Sequence, residues 1–197
     1  METIYPPIIM IAGLAGTGKG TQCDLLREEF PSIAHVSCGD VLRREKNDPT
    51  SKLGKTIADI IDGGNIVPAS IMVTLLKEEF AKLTDASMIL LDGFPRTFEQ
   101  LESYEEIIKI KDCDFVVNFV ASEDVCLSRL LHRGQSSGRE DDDPEVIKVR
   151  FHAAKSQTFP VIEYLDKRSL TRDIDAAREP SEVYQDFKSC LMHLLKK

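Results

Sequence analysis

No stretch of this 197-residue chain is long and apolar enough to read as a membrane span. Met1 to Pro7 lacks the cationic flank and extended apolar core of a secretory leader, and a strand-like run follows at once, so neither a signal nor a transit peptide is expected. Cysteine is sparse. The five cysteines, Cys23, Cys38, Cys113, Cys126 and Cys190, are odd in number and contain no CxxC pair. That argues against a disulfide framework and against a zinc knuckle, and predicts a reducing, cytoplasmic setting. Positive charge is in deficit, with 25 Lys and Arg against 33 Asp and Glu and a formal net charge of -8. A polynucleotide partner is therefore disfavoured, and an acidic protein that binds polyanions must gather its cations locally. His35, His132, His152 and His193 are scattered and belong to no Ser–His–Asp, Cys–His or metal-ligand pattern. Repeats and low-complexity tracts are missing too. What remains is 42% hydrophobic and 29% charged, which suits one soluble globular domain spanning 1–197, expected to be monomeric.

Within that domain, strand-like apolar runs at 8–12, 34–36, 87–91, 115–120 and 170–174 alternate with helical patterns. The alternation predicts an α/β fold: a five-stranded parallel sheet with helices on both faces. Met88-Ile89-Leu90-Leu91 and Phe115-Val116-Val117 are continuous apolar runs, as strands covered on both faces should be. Two regions break the rhythm. Residues 37–66 hold helical patterns with no strand between, and residues 134–143 are polar, charged and expected to form a loop. Both are expected at the carboxyl edge of the sheet, where such folds bind ligands. Asp143, Pro144 and Glu145 form a helix start, and Pro160 is expected to kink or interrupt the helix that follows.

The most informative stretch is Gly13-Leu14-Ala15-Gly16-Thr17-Gly18-Lys19-Gly20-Thr21, set between the first strand and a helical pattern. In that context the glycines let successive backbone N–H groups converge on one anion, the helix adds its positive end, and Lys19 supplies a cation for terminal phosphates. The usual pattern has Ser or Thr directly after the lysine as a magnesium ligand. Here Gly20 stands there and Thr21 follows, so magnesium is expected to rest on nucleotide oxygens and water, with no direct protein ligand assured.

Arginines gather around this cradle: Arg43 and Arg44 after Gly39-Asp40, Arg96 closing Asp92-Gly93-Phe94-Pro95-Arg96, Arg129 and Arg133 one helical turn apart, Arg139 in the polar stretch and Arg150 beyond it. A lone arginine is ordinarily a solvated surface pair. Grouped at strand ends and loops, guanidinium groups can bridge two phosphates while charge spreads over a transferring phosphoryl group. Asp92, ending a buried strand, reads as the carboxylate that orients magnesium-bound water. Asp141 and Asp142 read either as similar carboxylates or as caps of the next helix. Cys38 reads as a small pocket wall with nothing to mark it as a nucleophile.

Taken together, these motifs resemble the nucleoside monophosphate kinases, the adenylate kinase and UMP-CMP kinase family with its P-loop NTPase fold. The resemblance covers nearly the whole chain. It implies reversible transfer from MgATP to a nucleoside monophosphate, with Mg2+ accompanying ATP, no nucleic-acid partner and no membrane. It implies a core (1–36, 67–132, 144–197), a helical acceptor-binding insertion (37–66) and a short lid (133–143). By matching position, Gly16, Thr17, Gly18, Lys19, Gly20 and Thr21 would hold ATP phosphates. Arg129, Arg133, Arg139 and Arg150 would clamp the transferring group, and Arg43 and Arg96 the acceptor phosphate. Cys38, Ile66, Val67, Gly93, Thr97 and Gln100 would surround the acceptor nucleoside. Only five residues, Gly134 to Gly138, separate Arg133 from Arg139, too few for the zinc-bearing lid of longer relatives. Gly134 and Gly138 are its expected hinges.

The acceptor base is signalled both ways. Residues 45–51, 64–68, 136–139 and 160–164 resemble UMP-CMP kinases, whereas Thr97 and Gln100 match adenylate kinases. The breadth of resemblance favours UMP or CMP. AMP, dual specificity, a non-catalytic nucleotide-binding protein and a plain hydrolase remain as alternatives.

Overall fold

The computed structural model describes residues 5–107, 115–168 and 170–195. Met1 to Ile4, at the start of the segment read as carrying no leader, and Cys113 lie outside the described residues. The sheet is built on β1 (Ile8–Ala12), whose five residues are all buried. It is flanked by β3 (Met88–Asp92) and β4 (Phe115–Val120), with β2 (Ile33–Ser37) outside β3 and β5 (Thr171–Asp175) outside β4, giving the order β2-β3-β1-β4-β5. All four pairings are parallel. The five strands lie where the apolar runs predict them, with ends displaced by a residue.

Alternation along the strands sends successive side chains to opposite faces. Ile8, Met10, Ile89, Leu91 and Val116 pack with α3 (Gly54–Ile61), α4 (Ala69–Phe80), α5 (Phe98–Ile107) and α8 (Phe159–Asp166). On the opposite face Ile9, Ile11, Leu90, Val117 and Ile174 pack with α1 (Lys19–Glu29) and α9 (Pro180–Leu195). Each such aliphatic side chain, fully buried, contributes roughly 1.5–3 kcal/mol. A third cluster joins Leu14 of the glycine loop to Cys126 and Leu130 of α6 (Glu123–Ser137) and to Ile147 and Phe151 of α7 (Pro144–Ala153). The loop is thereby packed onto the element that ends beside the cleft.

Residues 37–66 fold as α2 (Cys38–Asn47), α3 and connecting turns. The Ser37 side chain accepts from Asp40 N–H and caps α2. The expectation of a loop over 134–143 is corrected. The helix α6 continues through Gly134 to Ser137 and ends at Gly138 in the left-handed region, φ 62°. Gly134, expected in a loop, is helical. A short 3-10 turn, Glu140–Asp142, then leads to α7, whose start is capped by Asp143 as expected. As expected, the α-helix is interrupted ahead of Pro160, though the chain does not leave a helical course. A π-helical turn, Ala154–Thr158, joins α7 to α8, with Phe159 N–H reaching back to Ala154 O. Proline brings no N–H of its own to the ladder, and a widened turn accommodates that without a break.

Candidate active site

The glycine loop lies at the carboxyl end of β1. Gly13, Gly16 and Gly18 have φ of 130°, 90° and 88°. At Gly16 the requirement is double, because an added Cβ would also sit 2.5 Å from the carbonyl oxygen of Cys126. Gly18 offers α1 no side-chain cap, so the first amides of that helix stay open to an anion. Lys19 Nζ donates to Gly13 O at 2.9 Å and to Leu14 O at 2.8 Å, with Thr17 Oγ1 at 3.4 Å. Burial pushes its ammonium pKa down, Asp92 opposes that, and Arg96 and Arg150 add to it. Thr17 is itself buried and donates to Leu14 O at 2.9 Å, so its hydroxyl braces the loop.

Above the loop opens a cleft of about 750 Å³, lined by Gly16 to Thr21, Asp92, Gly93, Ile66, Arg43, Arg96, Arg129, Arg133, Arg139 and Arg150. These six arginines come from α2, the β3–α5 turn, α6, the turn after α6 and α7, and only folding brings them together. Most are already charge-compensated. Arg43 pairs with Asp40 at 2.5 Å and Asp141 at 3.6 Å, and Arg139 with Asp40 at 3.6 Å. Arg133 holds Asp142 in two bonds of 2.8 and 2.7 Å. Arg150 meets Asp141 at 2.9 Å. Burial pushes the Arg150 guanidinium down to about 10, with Asp141 opposing. Arg129 donates to Ala176 O at 2.8 Å. Arg96 has no carboxylate partner among the described residues; its Nε donates to Gly93 O at 2.9 Å.

Several sequence expectations change here. Asp142 does not cap α7, which Asp143 caps; its side chain is 1% exposed and is held by Arg133. Asp141 serves Arg150 and Arg43. Gln100 does not present a free amide to a base. It is buried, accepts from Arg96 N–H at 2.9 Å and donates to Val67 O at 2.9 Å. A buried amide must satisfy both ends, and these are the partners that the fold supplies. Thr97 Oγ1 accepts from Gln100 N–H at the start of α5, and Val67 is buried. Neither of these three side chains lines the cleft. Cys38 is buried as well and does not line the cleft, and burial pushes its thiol up to about 12, which suits a core thiol and no nucleophile.

Other residues arrive without a sequence signal. His35, passed over for lack of a motif, lies on β2 with Nε2 3.4 Å from Asp92 and Nδ1 3.6 Å from Asp24. Arg44, noted in the sequence beside Arg43, finds Glu79 as its partner at 2.6 Å on the cleft wall. Lys46 bonds Asp62 at 2.7 Å and also Glu140, tying α2 to the 3-10 turn after α6.

A family model described as adenylate kinase matches residues 11–170, from the end of β1 to the eve of β5. This chain belongs to the adenylate kinase family. Among curated relatives, a uridylate kinase of Schizosaccharomyces pombe is 40% identical over 190 residues, covering 95% of this chain and 98% of the relative. A UMP-CMP kinase of Lentinula edodes is 39% identical over 95% of this chain and 86% of its own, and one of Danio rerio 38% identical over 94% and 97%. For an adenylate kinase family member, the glycine loop and the converging arginines are the parts whose geometry bears on phosphoryl chemistry. No helix among the described residues is long and apolar enough to cross a membrane.

Proposed function

We propose that this protein transfers the γ-phosphoryl group of MgATP to UMP or CMP, giving ADP and UDP or CDP, reversibly. The observation that carries the reading is the convergence of Lys19 and six arginines on one cleft opposite an anion-binding loop. Binding alone requires cations around one phosphate group; transfer requires them around both. The relatives' names support the acceptor class.

In this reading Gly16, Thr17, Gly18, Lys19, Gly20 and Thr21 hold the ATP phosphates. Arg129, Arg133, Arg139 and Arg150 clamp the group in transit, and Arg43 and Arg96 hold the acceptor phosphate beside Ile66 and Gly93. Residues 37–66 serve as the acceptor segment and 133–143 as a lid on a core of 1–36, 67–132 and 144–197. The acceptor phosphate is already an anionic nucleophile, so positioning and charge stabilisation suffice without a general base. Asp92 and the Thr21 hydroxyl both line the cleft and are hard oxygen donors, the class that magnesium prefers. A magnesium ion bound with ATP supplies charge neutralisation between the phosphates, and Asp92 would orient its water.

Turnover with MgATP and UMP, CMP, dCMP or AMP in turn tests the reading. The expected result is fast transfer to UMP and CMP, slow transfer to AMP, and little ATP loss without a monophosphate. Preference for AMP overturns the acceptor assignment. Binding without turnover, or ATP hydrolysis alone, overturns the kinase.

A further inference from the structure

The arginines of the cleft are held in two different ways. Arg43, Arg133, Arg139 and Arg150 are steadied by carboxylates. Arg96 is steadied by its backbone. Its N–H donates to Gln100 Oε1 at 2.9 Å, and its carbonyl accepts from the Thr158 hydroxyl at 3.0 Å. Gln100 is anchored in turn to Val67 O. The outer nitrogens of the guanidinium carry no bond to a protein acceptor among the described residues, which leaves that edge to an anion.

The Thr158 hydroxyl makes a long-range bond. Helical hydroxyls can bond the carbonyl one turn back. Thr74 does so, to Ser70 O at 2.7 Å, and Ser156 does so, to His152 O at 2.8 Å. Thr158 instead ends the π-helical turn and donates across 62 residues of sequence to the β3–α5 turn. The widened turn sets its direction. One residue of helix is worth a rotation of about 100°, so an α-helical path through 154–158 would aim this hydroxyl elsewhere. The same turn follows directly on α7, which carries Arg150. Thr158 therefore couples the segment bearing Arg150 to the loop bearing Arg96.

We propose that Thr158 is a positioning residue for phosphoryl transfer: its hydroxyl, bonded to the Arg96 carbonyl, sets where the Arg96 guanidinium meets the acceptor phosphate. The proposal rests on the kinase reading. A displacement of about 1 Å in a positioned group can lower a rate about 100-fold, and loss of one hydrogen bond that is indirect to the chemistry is worth about ten-fold or less.

The test compares Thr158→Val, which keeps the shape and loses the hydroxyl, with Thr158→Ser, which keeps the hydroxyl. Steady-state kinetics are measured with UMP, CMP and AMP, together with the KM for ATP and the thermal midpoint. Thr158→Val is expected to lower kcat/KM for every acceptor by about ten-fold and to leave the KM for ATP unchanged, because the phosphate is common to all acceptors. Thr158→Ser is expected to stay within about two-fold of the wild type. In an Arg96→Ala background Thr158→Val is expected to add no further loss, and this cycle reads the coupling even where Val lowers stability. Wild-type kinetics in Thr158→Val, equal damage from Ser and Val, an equal rise in the KM for ATP, or full additivity with Arg96→Ala would each overturn the proposal. Failure of the wild type to phosphorylate any monophosphate would instead overturn the kinase reading itself.

Discussion

The glycine loop and the arginine ring face each other across one cleft, yet they are made differently. The loop is local. Nine consecutive residues carry its left-handed glycines and its lysine, and Lys19 is tethered to carbonyls no more than six positions away. The ring is assembled from five separate parts of the chain, and its positive charges are balanced by Asp40, Asp141 and Asp142. A loop of backbone amides is ready for phosphate as folded. On the proposed function, a ring of paired guanidinium groups would exchange carboxylates for phosphates when nucleotides enter. Binding at the loop should therefore be robust to salt, and closure of the ring should not.

The sharpest way to break this comparison is at Lys19. Lys19→Met is expected to lower turnover by roughly a hundred-fold or more while the thermal midpoint moves little; near-normal turnover would remove Lys19 from its role. The next effect is on stability. Gly16→Ala is expected to destabilise the fold by about 2 kcal/mol, since it combines strain at φ 90° with a clash on the Cys126 carbonyl. Gly20→Ala, where a Cβ would meet nothing within 4 Å, is expected to leave chemical-denaturation midpoints unchanged. Equal midpoints for the two variants would show that the loop is not rigid.

On the ring, Asp142→Asn is expected to lower stability by about 1–2 kcal/mol. Burial pushes the Asp142 carboxyl up, but the Arg133 hydrogen bonds and charge, with Arg150 and Arg139 beyond, outweigh it and hold the pKa below its usual range. The folded-state value thus lies under the unfolded one. The stabilisation is present above the ordinary carboxylate range and is lost as pH falls through the lowered value. The gap in melting temperature between wild type and Asp142→Asn should close on acidification, and a gap that widened there would contradict the pairing. The smallest effect belongs to Glu140→Gln, which weakens the tie of Lys46 to the 3-10 turn after α6. Glu140 is 72% exposed, so a change of no more than about three-fold in acceptor KM is expected, vanishing as ionic strength approaches about 1 M.

Much of the fold was legible beforehand because it depends on short-range pattern. Continuous apolar runs marked the buried strands, and the strand–glycine–helix context marked the loop. The positions of the arginines were legible, but not what they touch. Asp142 reads equally well as a cap or a metal carboxylate until α6 is seen to run on past Gly134 and bring Arg133 over it. Gln100 looks like a base reader until Val67 and Arg96 claim its two ends. His35 carries no motif, since its neighbour Asp92 is 57 positions away and reaches it only through the pairing of β2 with β3. The interruption of the helix near Pro160 was legible, but its form was not, for a related reason. Proline forbids an ordinary turn, but the choice between a break and a π-helical turn is made by what packs on either side.

The chain's own order of residues determined a parallel sheet, an anion-binding loop at the end of its central strand, and a supply of arginines on the segments that follow. Those outcomes rest on backbone conformational limits and on the periodic burial of apolar side chains, both of which act over a few residues. The tertiary structure decided which guanidinium meets which carboxylate, which amide faces inward, and that the Thr158 hydroxyl lies against Arg96. Charge pairing and hydrogen bonding depend on distance in space, and residues 62 positions apart along the chain become neighbours only once the sheet has placed them there.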